Sequence, residues 1–133
     1  MNNTFQLDII TPTSTINEGQ IEYLRAPSTD GLFGVKKKHV SSIIALDIGE
    51  IKIVKEGGKE FYFSTAGGYA DIRPEGVVLL VETVEKASDI DIKRAKDAVN
   101  RAANNLKDSN MDVKRARVAL KKAQNRIRIS TKI

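Results

Sequence analysis

With 133 residues, 41% of them apolar, and a formal charge of +5, the chain has room for one compact domain or a small domain with an appendage. It has no Cys, which excludes a disulfide framework and any thiolate metal site. The longest apolar run, Gly76 to Val81, is far short of the roughly 20 residues a spanning helix needs, and the N-terminus lacks the pattern of a secretory signal or transit peptide, so a soluble chain is expected, with any membrane connection made through a partner.

The first part of the chain alternates with the period of 2 expected of half-buried strands. Phe5, Leu7 and Ile9 form one such face, with Gln6, Asp8 and Ile10 opposite. Ile21, Tyr23 and Arg25, with Glu22 and Leu24 opposite, form a second; Ile51 and Ile53, with Lys52 and Val54 opposite, a third; and Glu60–Ser64 a fourth. Gly76 to Thr83 reads as a fifth and more fully buried strand. Turn residues separate them at Asp30-Gly31, Asp47-Ile48-Gly49, Ala66-Gly67-Gly68 and Arg73-Pro74-Glu75-Gly76. Glu56-Gly57-Gly58-Lys59 is the clearest hairpin signal, because glycine reaches positive φ without steric cost. Short strands with turns every 8–12 residues predict an antiparallel β-sandwich or barrel.

From Ser88 onward the chain changes character: it has no Gly, Pro or aromatic residue and is rich in Ala. Ser88 or Asp89 is placed to cap a first helix. Ile92, Ala95, Val99, Ala102 and Leu106 follow at steps of 3 and 4. Lys107 to Asn110 interrupts as a short polar loop, Asp112 is placed to cap a second helix, and Val113, Ala116, Leu120, Ala123 and Ile127 repeat the stripe. The pattern predicts an antiparallel helical hairpin. Its seam is poor in large side chains: at ~25 cal/mol per Å², each Ala contributes about 1 kcal/mol less than a Leu. The helices should therefore dock weakly, while Ala, Lys, Arg and Gln keep their intrinsic propensity high.

Charge divides along the same line. Residues 1–84 hold 8 basic and 11 acidic side chains, a net −3; residues 85–133 hold 14 and 6, a net +8. The basic tail reads either as a solvated helical surface or as a face for an acidic partner. Catalytic chemistry is not visible. The one His, His39, sits in the basic loop Lys36-Lys37-Lys38-His39, has no metal-ligating neighbours and reads as solvated. Gly67-Gly68 lacks the Lys-Ser/Thr of a phosphate loop, and Asp89 and Asp91, two residues apart, suit helix capping better than acid/base work. A basic nucleic-acid-binding protein with a β module is the alternative reading. However, all seven aromatics lie at or before Tyr69, so none interleaves the basic stretch as a stacking residue.

The order of these features resembles the epsilon subunit of the rotary F-type ATP synthase. The segments that carry the resemblance are Phe5–Pro12, Gly31–Val35, Ile43–Ile53 and the Gly-Gly step in Ser64–Ile72. The sharpest local match is Ile90-Asp91-x-x-Arg94-Ala95, similar to the family's (Ile/Leu)-Asp-x-x-Arg-Ala nucleotide motif. By the same resemblance Glu85, Arg101, Lys122 and Arg126 join the candidate nucleotide site. Lys122 departs from the Arg found there in the family's ATP binders, keeping the charge but losing the bidentate fork. The loop after Gly34 also departs: where the family has Pro-Gly-His and a Pro shortly after, this chain has Lys37, Lys38, His39 and Ser41.

The resemblance implies a rotor component without catalytic activity of its own. Residues 1–84 would bind the gamma subunit and the membrane ring of c subunits, with His39 in the contacting loop. Residues 85–133 would be a regulatory arm. When extended, it would present Lys114, Arg115, Lys121, Lys122 and Arg126 to acidic segments of the beta and alpha subunits and inhibit ATP hydrolysis. No cofactor is required under this reading; ATP is a regulatory ligand that holds the arm folded, and nucleic acid is not a partner. The expected location is peripheral, at the cytoplasmic face of the bacterial cell membrane.

Overall fold

A computed structural model describes residues 3–107 and 112–132. Nine strands precede two helices: β1 (Phe5–Ile10), β2 (Thr15–Ser28), β3 (Gly31–Val35), β4 (Ser42–Leu46), β5 (Gly49–Lys55), β6 (Glu60–Thr65), β7 (Gly68–Arg73), β8 (Gly76–Val81), β9 (Val84–Lys86), α1 (Ile92–Lys107) and α2 (Val113–Ser130). The result is the β-sandwich followed by a helical hairpin that the patterning predicts.

The 14-residue β2 joins the two layers. Its first half pairs with β1, and its second half pairs with β3 on one side and β5 on the other. Strand order runs β1-β8-β7-β4-β2-β5-β6-β9, and the β1–β2 pairing folds the path back on itself. The pairs are antiparallel except β1–β8, which is parallel. Leu7, Ile9, Ile21, Leu24, Ile51, Ile53 and Leu79 are fully buried between the layers.

Two irregularities in β2 change the simple alternation. Opposite β1 the register skips Glu18, and opposite β5 it skips Glu22. Each extra residue is a bulge that turns the side-chain phase. Ile21 and Leu24 therefore both point into the core, although strict alternation would put them on opposite faces. β8 is also less buried than its apolar sequence suggests: Val77, Leu79 and Val81 point inward, while Leu80 is exposed. Strands β3, β4, β7 and β9 were not evident from alternation.

Glycine is required at two places. The β5–β6 turn holds Gly57 at φ +93° and Gly58 at +86°, the left-handed pair that a tight hairpin needs. Gly68, at φ +149°, lies so close to β8 that a Cβ would run into the Leu80 carbonyl.

The tail departs from expectation at its start. Residues Ala87–Asp89 form a single 3₁₀ turn, and the cap of α1 is Asp91 rather than Ser88 or Asp89. The Asp91 carboxylate accepts a hydrogen bond from the Arg94 backbone N–H at 3.0 Å, and its carbonyl accepts from Ala95 N–H. Asp112 caps α2 as expected, accepting from Arg115 N–H at 3.2 Å. Lys107 is the last residue of α1, and the rest of the expected loop, residues 108–110, lies outside the described residues. Ala95, Ala102, Ala116 and Ala123 are buried along the seam.

Candidate functional site

The helix α2 has two working faces. One, through Ala116 and Ala123, meets α1. The other, a second row containing Asn125 and Ile129, lies against β5, β6 and the 3₁₀ turn. Ile129 is fully buried with Ala87 and Ile90, and Tyr62 packs against the same small cluster. This apolar contact is separate from the sandwich core and far smaller.

Around the cluster the contact is polar. The Arg126 guanidinium donates to both carboxylate oxygens of Glu85, at 2.7 and 3.1 Å. These hydrogen bonds from Arg126 to Glu85 hold the guanidinium above its ordinary pKa, outweighing its partial desolvation. Lys121 reaches Asp47 at 3.4 Å, Lys122 reaches Glu82 at 3.6 Å, and Lys132 reaches Glu50 at 3.5 Å. The buried Asn125 amide donates to the Gly49 carbonyl at 2.9 Å and the Ser64 hydroxyl at 3.1 Å, and its oxygen accepts from Arg128 at 2.7 Å.

A cleft of about 400 Å³ opens between arm and sandwich, and Glu85, Arg94, Lys122 and Arg126 all line it. The structure thus brings together four of the candidate nucleotide residues. The others occupy different positions. Ile90 is buried beneath Ile129, Ala95 is buried in the helix seam, and Asp91 is the cap of α1. Arg101, two turns beyond Arg94 on α1, is exposed and does not line the cleft. In packing terms, the Ile-Asp-x-x-Arg-Ala run starts the helix, anchors it at both ends of one turn and leaves Arg94 to face the cleft.

Of the candidate partner residues, Lys114 and Arg115 are exposed and make no ion pair among the described residues, whereas Lys121, Lys122 and Arg126 are paired with carboxylates of the sandwich. His39 is not simply solvated. It is half-buried, its ring meets Phe5 edge-on at 5.2 Å, and its two nitrogens contact the backbone carbonyls of Lys36 and Arg73. It pins the basic loop to the end of β7. A larger hollow, of about 790 Å³, is lined by Glu22, Tyr23 and Lys36 to Lys38 of that loop. No cluster of His, Cys, Asp and Glu able to hold a metal occurs among the described residues.

Sequence reasoning missed Asn125, Asp47, Glu50 and Glu82, and named Glu85 for the nucleotide site rather than as a partner of Arg126. The available signal was Ile129, an apolar residue outside the α1-facing stripe and four residues after Asn125, which marks a second contact face.

Comparison with known proteins bears on this arrangement. Residues 4–87 match the beta-sandwich domain of the ATP synthase delta/epsilon chain, and residues 88–131 match its long alpha-helix domain. The chain belongs to the ATP synthase delta/epsilon family. Within that family it is 39% identical over 106 residues to the ATP synthase epsilon chain of Desulforamulus reducens, with 80% of each chain covered. It is 38% identical over 107 residues to that of Staphylococcus haemolyticus, again with 80% of each covered. A chain in the mitochondrial ATP synthase structure of Euglena gracilis shares the fold at a TM-score of 0.81 and 18% identity, covering 92% of this chain and 79% of the other. Membership of this family places the chain as a subunit of the F-type ATP synthase.

Proposed function

We propose that the chain is a central-stalk rotor subunit whose sandwich is fixed to its partners and whose helical arm regulates ATP hydrolysis. The observation that carries this reading is the form of the arm's docking. The sandwich has a core of its own, whereas the arm is held by one small apolar cluster and a ring of ion pairs. An element attached in this way can leave without unfolding the body it rests on.

The sandwich also offers a surface for a partner. Ile43, Tyr69 and Leu80 are exposed on three successive hydrogen-bonded strands, β4, β7 and β8. Adjacent exposed apolar side chains mark an interaction surface rather than ordinary solvent-facing positions. We assign this face to the gamma subunit, and the loop carrying Lys36 to Val40 to the membrane ring of c subunits. No helix among the described residues is long and apolar enough to cross a membrane, and attachment at the cytoplasmic face runs through these partners.

In the extended state, Lys114, Arg115, Lys121, Lys122 and Arg126 would face acidic segments of the beta and alpha subunits and halt hydrolysis while proton or sodium flow drives synthesis. The cleft lined by Glu85, Arg94, Lys122 and Arg126 is the candidate site for regulatory ATP, whose phosphates would meet Arg94 directly and take the place of carboxylates at Lys122 and Arg126. The test is the ATPase activity of the reconstituted soluble complex with the full chain and with a chain lacking residues 88–133. Regulation by the arm requires higher activity with the shortened chain, and equal activities would exclude it. Calorimetric titration with ATP tests the cleft separately: Arg94→Ala should weaken binding, and no heat at millimolar ATP would remove the nucleotide from the proposal.

A further inference from the structure

We propose that the sandwich carries a built-in acidic receptor for its own arm, so that the arm is latched closed without any nucleotide. This rests on the reading that the arm moves, and it adds what holds the arm when it is at rest. The receptor consists of Asp47, Glu50, Glu82 and Glu85, with the buried Asn125 amide as the element that sets register.

The cations that meet these carboxylates lie on one side of α2 and at its end. Lys121, Asn125 and Ile129 follow at steps of 4, Lys122 and Arg126 run beside them, and Lys132 lies just past the helix. Residues so spaced form neighbouring rows on a helix surface. The carboxylates come from separate parts of the sandwich. Asp47 lies between β4 and β5, Glu50 in β5, Glu82 between β8 and β9, and Glu85 in β9. Two segments distant in sequence, residues 47–50 and 82–85, are thus placed opposite one helical stripe. Glu50 is already held by Arg25 at 3.2 Å on one oxygen, and its other oxygen is presented to Lys132.

Asn125 gives the latch its specificity. Both N–H bonds of its amide are used, one on the Gly49 carbonyl and one on the Ser64 hydroxyl, while its oxygen accepts from Arg128. A slip of α2 by one residue would break both hydrogen bonds to the sandwich, those to Gly49 and Ser64, and leave buried polar groups unpaired. A carboxylate at this position would set two acceptors against each other at Gly49. The ion pairs are partly exposed and individually weak, so they supply attraction at range while the amide and Ile129 select one register.

The latch also alters what an anion would meet in the cleft. Glu85 already occupies the Arg126 guanidinium with two hydrogen bonds. A phosphate entering there has to displace Glu85 from Arg126, whereas Arg94 makes no ion pair among the described residues. The sandwich therefore supplies, in Glu85, a substitute for the ligand's phosphate.

The test is amide hydrogen exchange on the full chain alone, without nucleotide, reading residues 113–132 against strands β5 to β8. The expected result is an arm protected at about 20 mM salt and exposed at about 1 M, where the Debye length falls to about 3 Å. Asn125→Ala should raise exchange across α2 at least about tenfold, consistent with the usual cost of stranding buried polar partners. The double variant Asp47→Asn/Glu82→Gln, which leaves the candidate nucleotide residues intact, should raise it about three- to tenfold. Protection of the sandwich strands in each variant shows that the body remains folded. An arm that exchanges freely in the nucleotide-free wild type and becomes protected only on adding ATP would overturn the latch, as would an Asn125→Ala arm as protected as the wild type. These results are independent of the ATPase comparison: a failed latch leaves regulation by the arm standing, and unchanged ATPase on arm deletion leaves the latch standing.

Discussion

Lys38 shows how one residue carries strain in the loop proposed to meet the membrane ring. It has φ +67° and is the only non-glycine residue with positive φ among those described. A left-handed L-residue costs about 1–2 kcal/mol, and the resemblance places a glycine in the family at this point. Lys38→Gly should relieve that strain at some cost in unfolded-state entropy, leaving the chain about 0.5–1 kcal/mol more stable in a thermal melt. Gly68→Ala should have the opposite effect, about 2–3 kcal/mol of destabilisation or more, because its Cβ meets backbone that cannot yield. A third residue-scale prediction concerns acid. Tyr62 donates a hydrogen bond to Glu60 at 2.8 Å, and Lys52 reaches the same carboxyl at 3.2 Å. Together they hold Glu60 below the ordinary carboxylate value, the tyrosine bond being the larger cause. The contribution of Glu60 to stability is present above the ordinary carboxylate value and is lost as pH falls through the lowered one. In an NMR titration, Tyr62→Phe should move Glu60 up toward the ordinary value. The remaining ring should still cover Ile129, so the arm should stay docked.

At the scale of elements, legibility depended on whether one face of a segment was clearly polar. β1 and β5 alternate cleanly, and their inward residues were identified from pattern alone. β4 and β7 were missed because their outward positions include Ile43 and Tyr69, which remove the polar half of the alternation. The bulges at Glu18 and Glu22 cannot be read from periodicity, since each shifts the phase in the middle of a strand. In the hairpin the seam was legible because its residues are apolar at helical spacing. The docking face of α2 was not, because it is made of Lys, Arg and Asn, which read as solvent-exposed when their partners are unknown. The candidate site was legible to the same extent: charge patterning marked the cations but could not show that the carboxylates facing them belong to the same chain. The caps provide a test at this scale. Asp112→Ala should cost the arm about 1 kcal/mol, seen as faster amide exchange in α2 with unchanged protection in β5 and β8.

At the scale of the whole molecule, the two parts should differ in stability. A chain ending at residue 87 should still fold and melt cooperatively, because the core residues of the sandwich lie between Phe5 and Val81. Strand dispersion in its NMR spectrum checks this. In the full chain the arm should open at a lower free energy than the body, since it is attached by Ala87, Ile90, Ile129 and Tyr62 with a polar surround.

The short strand β9 determines how such an opening must proceed. It is stitched to β6 as far as Lys86, paired with Phe63, and α1 begins at Ile92. Five residues therefore separate a fixed edge from a rigid rod of 16 residues, about 24 Å long at 1.5 Å per residue. A pivot so short beside a rod so long acts as a lever: a turn of about 60° at residues 87–91 carries the far end of α1 through roughly 24 Å. Modest torsional changes in one small segment are thus converted into a displacement as large as the length of α1 itself, and a spectroscopic label near Lys107 would report it with the greatest amplitude.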